Sequence, residues 1–180
     1  TGGHLYPALA IARALRVARP DVDVLFVGTQ RGLERRILPG TGFPHVLLDL
    51  HPLYRSQAWK NWRTLRGLVG GWKELERCLG SERASLGVGT GGYAAVAALT
   101  WCLSHDIPYV LQEQNSYPGL TTTLFSRWAR EIYLGFPEGV GRLPASVRGR
   151  ALALGNPIQP PPDPRPSRQE ARLRWGFPES

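Results

Sequence analysis

Four residues at the head of the chain, Thr1-Gly2-Gly3-His4, set a hydroxyl, two glycines and an imidazole just before a helical pattern over Pro7 to Val17. Glycine lets the main chain come close to a ligand, and the unpaired N–H groups of a first helical turn attract negative charge. The tetrad therefore reads as a loop facing a phosphate or a sugar. His4 on such a loop is suited to act as a general base or to donate a hydrogen bond to a phosphate. A second glycine turn, Gly89-Thr90-Gly91-Gly92-Tyr93, and a polar run, Gln112-Glu113-Gln114-Asn115, offer comparable surfaces. Amide side chains carry donors and acceptors together, which suits sugar hydroxyls. Glu113 and Glu34 are the other candidate proton acceptors.

Several chemistries are excluded by spacing. The dinucleotide fingerprint fails because Tyr6 stands where its third glycine would be, and Gly28-Thr29-Gln30 replaces the acidic residue that would hold a ribose. The Lys-Ser/Thr pair of a P-loop is missing. Cys78 and Cys102 fall in helical patterns without metal-ligand spacing and read as buried thiols of a reducing compartment. No apolar run is long enough to span a bilayer.

The elements that must position these loops alternate. Strands are expected over Val22 to Val27, His45 to Leu50, Ala84 to Gly89, Tyr109 to Gln112, Glu131 to Leu134 and Arg150 to Leu154. Helices are expected over Arg31 to Leu38, Ser56 to Leu79, Tyr93 to Ser104 and Gly119 to Ala129. Such alternation predicts an α/β fold with a parallel sheet covered on both faces, and ligands of open parallel sheets bind at the carboxyl ends of the strands. A glycine loop of the first kind hangs off a strand, and that strand would precede residue 1. With no methionine in the sequence, the chain reads as an internal piece of a longer protein. Residues 1–156 are expected to form one domain and residues 157–166 a stiff Pro-rich linker. Residues 167–180 would start a second domain, opened by the capping box Ser167-Arg168-Gln169-Glu170.

Taken in order, the motifs resemble the MurG family, bacterial transferases that move N-acetylglucosamine from UDP-N-acetylglucosamine to lipid I in peptidoglycan synthesis. The likeness rests on Thr1-Gly2-Gly3-His4 with Pro7-Ala8-Leu9-Ala10, and on Gly28-Thr29 with Gly32-Leu33-Glu34. It continues through Gly89-Thr90-Gly91-Gly92-Tyr93, Ile107-Pro108, Glu113-Gln114-Asn115, Pro118-Gly119-Leu120-Thr121 and Gly155-Asn156-Pro157. The resemblance implies the Rossmann-like, acceptor-binding N-terminal domain of a GT-B glycosyltransferase, without its first strand. It implies an inverting reaction, in which the 4-hydroxyl of the muramoyl sugar attacks the anomeric carbon, a base removes the hydroxyl proton and UDP leaves, with no metal or cofactor. Residues His4 and Glu113 would be catalytic. Thr1, Gly2, Gly3, Asn115 and Gln159 would contact the donor or its diphosphate, and Gly91, Gly92, Tyr93, Gln112 and Gln114 the acceptor. The chain alone would not turn over, because the donor-binding half is not in it. Two positions depart from the family pattern: Gln112 stands for a histidine and cannot titrate, and Gln159 stands for an arginine.

The formal charge is +8 with a pI near 10.2, which suits a nucleic acid, an anionic membrane or a phosphorylated substrate. Much of the charge lies along the long third helix. There Trp59, Trp62, Leu65, Leu68, Val69, Trp72, Leu75 and Leu79 recur at helical spacing, with Lys60, Arg63 and Arg66 on a flank. Tryptophan between an apolar and a basic face favours a bilayer interface. Trp59, Trp62, Arg63, Arg66 and Trp72 are the expected membrane contacts, with Trp101 a candidate to extend the patch. Gly67, Gly70 and Gly71 are expected to weaken or bend this helix. By the resemblance the protein would sit peripherally on the cytoplasmic face of the bacterial membrane. No nucleic-acid motif is present. Two other readings remain at this stage: a solitary acceptor-binding subunit needing a separate donor-binding chain, and a non-enzymatic α/β binding module.

Overall fold

Residues 2–51, 61–80, 84–161 and 164–177 are described by the computed structural model. Thr1 and Trp59 lie outside them, as does the side chain of Arg63. Helix α1 (Gly2–Ala18) leads into strand β1 (Phe26–Thr29), then short helix α2 (Glu34–Ile37) with a 3-10 turn, strand β2 (His45–Leu48) and helix α3 (Asn61–Leu79). Strand β3 (Gly87–Gly89), helix α4 (Gly92–Ser104), strand β4 (Tyr109–Glu113), helix α5 (Leu120–Phe125), strand β5 (Ile132–Leu134) and strand β6 (Ala151–Ala153) follow, and helix α6 (Arg168–Arg174) comes last.

All pairings are parallel. The single sheet expected is found as two: β1–β2, and β3–β4–β5–β6 in that order. One apolar core nevertheless joins them, running from Leu48 and Leu75 through Leu99 and Leu111 to Ile132 and Leu134. Helix α4 packs on both β1 and β3. A second cluster lies beneath α1, around Leu5, Leu9, Phe26 and Phe43. Each such side chain removed from water contributes about 1.5–3 kcal/mol.

Element boundaries moved for identifiable reasons. Helix α1 starts at Gly2 rather than Pro7, so the glycine pair forms its first turn and Pro7 is buried inside it. Pro7 lacks the N–H that would bond the carbonyl four residues earlier. Strand β1 starts at Phe26 rather than Val22: pairing begins where Phe26 meets His45, and Phe26 N–H donates to the Pro44 carbonyl at 2.9 Å. Pro44 itself has no N–H to return. Helix α5 stops at Phe125, short of Ala129. The capping box at α6 is present as expected, with Ser167 Oγ accepting from Glu170 N–H and the Glu170 carboxylate accepting from Ser167 N–H.

Helix α3 is continuous through its glycines. A Cβ on Gly71 would stand 3.2 Å from Leu48 Cδ1 and 3.3 Å from Leu50 Cδ2, so its bareness lets the helix settle onto the end of β2. Gly70 faces open space. Leu75 is buried, and Leu68, Trp72 and Leu79 pack on the core. Trp62 and Val69 are half exposed, and Arg66 and Lys73 are exposed.

Two of the tryptophans are committed to packing. The Trp72 indole N–H donates to Ser104 Oγ at 2.9 Å. Trp101 is 2% exposed, with its N–H on Glu76 Oε2 at 2.9 Å, so it cannot extend a surface patch. The His105 ring stacks on both indoles, at 4.5 Å from Trp101 and 5.9 Å from Trp72, and its Nε2 lies 2.9 Å from Glu76.

Part of the basic charge is also internal. Arg150 donates to the carbonyls of Ala129 and Arg127, Arg148 to those of Leu143 and Gly141, and Arg31 pairs with Asp49. Only one of the two thiols is buried: Cys102 is, with burial pushing it up to about 11, while Cys78 is exposed. Among the described residues no helix is long and apolar enough to cross a membrane, and no group of three His, Cys, Asp or Glu could hold a metal ion.

The two neighbouring α3 glycines should respond differently to substitution. Gly70→Ala is expected to stabilise by about 0.5–1 kcal/mol, the difference in helix propensity. Gly71→Ala must first push the leucines of β2 aside. Thermal denaturation should place Gly70→Ala above Gly71→Ala; the opposite order would mean that α3 is not docked through Gly71.

Candidate active site

The glycine turn after β3 and the polar run after β4 leave the same edge of one parallel sheet, and the first turn of α1 meets them there. Gly91 and Gly92 have φ of 97° and 79°, a region that side chains avoid. Their bareness also makes room for His4. A Cβ on Gly91 would lie 2.8 Å from His4 Cδ2, and one on Gly92 would lie 3.3 Å from His4 Nδ1. The polar run joins the same turn through Gln114, whose amide donates to the Thr90 carbonyl at 2.8 Å. Thus the first turns of α1 and α4 come together around His4.

Glu113 is 3% exposed, and its carboxylate is surrounded by donors. Oε1 accepts from Asn115 N–H (3.1 Å) and Asn115 Nδ2 (2.9 Å). Oε2 accepts from Gly119 N–H (2.8 Å) and Thr122 Oγ1 (2.6 Å). Four donors on two oxygens leave little capacity for a substrate proton. The arrangement folds Asn115 to Gly119 over the carboxylate and ties the start of α5 to the end of β4. Glu113 is therefore a positioning residue for the loop rather than a free base.

Gln112 was expected at the acceptor surface but is 3% exposed. Its Oε1 accepts from Gln114 Nε2 at 2.7 Å, and Asn156 donates to the Gln114 carbonyl at 3.1 Å. Gln112, Gln114 and Asn156 thus brace the rim from beneath. Gly3, Tyr93 and Asn115 are exposed, while Gly2, His4, Gly91 and Gly92 are half-buried. Gln159 is not at this rim. Its side chain binds Arg13, which lies about 16 Å along α1 from Gly2 at 1.5 Å per residue.

His4 is pushed below its ordinary value of 6.5, first by burial and then by the positive charge of the chain's amino end; Glu113 and Glu34 pull it back less strongly. The imidazole is therefore neutral near pH 7. Glu34 accepts from Thr29 Oγ1 at 3.3 Å and brings the turn after β1 up beside His4. Thr122 was missed from sequence; the signal was a run of three threonines directly after Gly119. Asn156 was seen only as part of a motif, because nothing local shows that it reaches Gln114.

Comparison with known proteins agrees with this geometry. Three relatives named UDP-N-acetylglucosamine--N-acetylmuramyl-(pentapeptide) pyrophosphoryl-undecaprenol N-acetylglucosamine transferase are similar. That of Moorella thermoacetica is 40% identical over 164 residues, 89% of this chain and 43% of the relative. That of Lacticaseibacillus casei is 40% identical over 157 residues, 87% and 42%. That of Desulforudis audaxviator is 37% identical over 183 residues, 99% and 47%. The chain thus spans somewhat under half the length of these curated relatives. The crystal structure of Acinetobacter baumannii MurG superposes with a TM-score of 0.65 at 25% identity, covering 91% of this chain and 44% of that one. Residues 1–134 match the glycosyltransferase family 28 N-terminal domain, and the chain belongs to that family.

Proposed function

We propose that this chain is the acceptor-binding domain of an inverting transferase that moves N-acetylglucosamine from UDP-N-acetylglucosamine to the 4-hydroxyl of the muramoyl sugar of lipid I. The observation that carries the reading is the meeting of three turns: His4 against Gly91 and Gly92, and Gln114 on Thr90. Their exposed groups are main-chain amides, an imidazole and an amide side chain, which are partners for a diphosphate and for sugar hydroxyls. In this reading His4 takes the proton of the attacking hydroxyl, since it is neutral and open, while Glu113 holds the loop. The first turns of α1 and α4, with Gly2, Gly3 and Thr1, face the leaving diphosphate. Asn115 presents its carbonyl oxygen to the ligands, its Nδ2 being held by Glu113. Gly91, Gly92 and Tyr93 form the acceptor side. Residues 167–180 begin the domain that binds the donor, and Gln159 fixes the linker to α1 rather than touching the diphosphate.

The same reading places the protein on the cytoplasmic face of the membrane, where a lipid-linked acceptor is found. Support comes from α3. Trp62, Arg66, Val69 and Lys73 recur at helical spacing on its exposed side. Each basic residue beside an anionic leaflet contributes about 1 kcal/mol. Trp72 is turned inward and serves packing instead.

Three measurements test this. Transfer of labelled N-acetylglucosamine to lipid I should be seen with the enzyme that unites this domain with a donor-binding domain. His4→Gln and Asn115→Ala should each lower kcat/KM there by about 100-fold with unchanged melting, the range typical of general-base and oriented polar groups; unchanged kinetics in both would remove the site assignment.

The pH dependence should carry the mark of His4. A neutral base is needed, so activity should fall on the acid side, with a midpoint below 6.5. His4→Gln should lose that limb. The folded state also disfavours the His4 proton. Its contribution to stability is therefore complete above pH 6.5 and declines as pH falls below it.

On vesicles containing anionic lipid, Trp62→Ser should weaken flotation at unchanged melting temperature. Trp72→Ser should lower the melting temperature instead.

A further inference from the structure

An open pocket of about 610 Å³ lies between α3 and the carboxyl ends of β1 and β2, away from the rim around His4. Gln30 follows β1, Asp49 and His51 follow β2, and α3 supplies Trp62, Arg66 and Glu74, with Gly67 and Gly70 leaving its wall bare. The carboxylates are already matched: Asp49 by Arg31 at 3.0 Å and Glu74 by Arg77 at 2.6 Å. Arg31 also reaches the His51 ring at 3.4 Å. Arg66 has no ion-pair partner among the described residues, so the pocket holds one uncompensated cation. A single guanidinium beside a half-exposed indole suits one carboxylate on an amphipathic chain. A diphosphate would call for more positive charge. Gln30 and His51 add hydrogen-bonding groups of the kind that main-chain amides use.

The pocket is also within reach of the rim. Glu34 acts on the charge of His4, and Leu33 Cδ1 lies 3.5 Å from where a Cβ on Gly2 would stand. Gln30 belongs to the same turn, only four residues before Glu34, so the two are at most about 14 Å apart. An extended pentapeptide spans about 17 Å. The names of the similar proteins describe an acceptor that carries a pentapeptide on its muramyl sugar.

We infer that this pocket receives the pentapeptide of the acceptor, with Arg66 meeting its terminal carboxylate and Trp62 covering its apolar side. The inference rests on the acceptor reading above. It assigns peptide recognition to α3 and the turns after β1 and β2, and sugar recognition to the turns after β3 and β4.

Calorimetric titration of the chain, without lipid, tests it with three soluble probes: N-acetylmuramic acid, N-acetylmuramyl-pentapeptide and the same pentapeptide ending in an amide. The pentapeptide compound should bind at least about tenfold more tightly than the sugar alone. Gly70→Phe, at a site where a Cβ meets nothing within 4 Å, should fill the pocket and erase that gain while raising or preserving the melting temperature. Arg66→Gln and the terminal amide should each reduce the gain, and together no more than either alone. Equal affinity for sugar and pentapeptide compounds, or a gain that survives Gly70→Phe, would overturn the inference. If the sugar still binds, and is lost in Asn115→Ala, the acceptor reading stands without the peptide pocket. If neither compound binds, both fall.

Discussion

A carboxylate shut away from water survives as an ion only where donors replace the solvent, and the Glu113 carboxylate has four of them. That requirement organises the rim. Asn115 must turn back, Gly119 must present its N–H, and α5 must begin where Thr122 can reach the same oxygen. Gln114 is then aimed at the turn after β3, and Asn156 closes beneath it. Removing one member leaves a buried charge short of a partner, a costly state, so the loop has a single favourable shape.

The other side of the rim is set by what is missing. Glycine at positions 91 and 92 allows both the positive φ and the space taken by the His4 ring. The same economy of side chains lets α4 press onto β3: a Cβ on Gly89 would lie 2.9 Å from Leu99 Cδ1. Buried charge on one flank and bare backbone on the other hold a neutral imidazole at a junction of two helix starts. This is an arrangement in which protein dipoles can meet developing negative charge without a metal.

Much of this was legible in the sequence because its signals are local. Alternating periodicity gave six strands and the helices between them, and Ser167 with Glu170 marked the start of α6. The convergence of the three turns followed from parallel strands, whose carboxyl ends share an edge. What the sequence hid was orientation. Gln112 and Glu113 are as polar as Asn115, yet the pleat turns them into the protein, where they serve as braces. The tryptophans of α3 share one helical period, and only the packing of Ser104, His105 and Glu76 distinguishes Trp72 from Trp62. The glycines of that helix read as weakness; their use lies in how near β2 comes. The break between β1 and β3 has no local signature, since hydrogen bonding across strands is a long-range property.

The rim is assembled from contacts of two very different ranges. Glu113 and Thr122 are nine residues apart, a loop that closes within a small fraction of a millisecond in a free chain. His4 and Gly91 are separated by half the molecule and can meet only after the strands between them have ordered. During folding, the polar half of the rim should thus form as an early, autonomous turn, and the imidazole should arrive late. Binding competence then becomes a late folding event, and a partly folded chain would leave the sugar-facing surface incomplete.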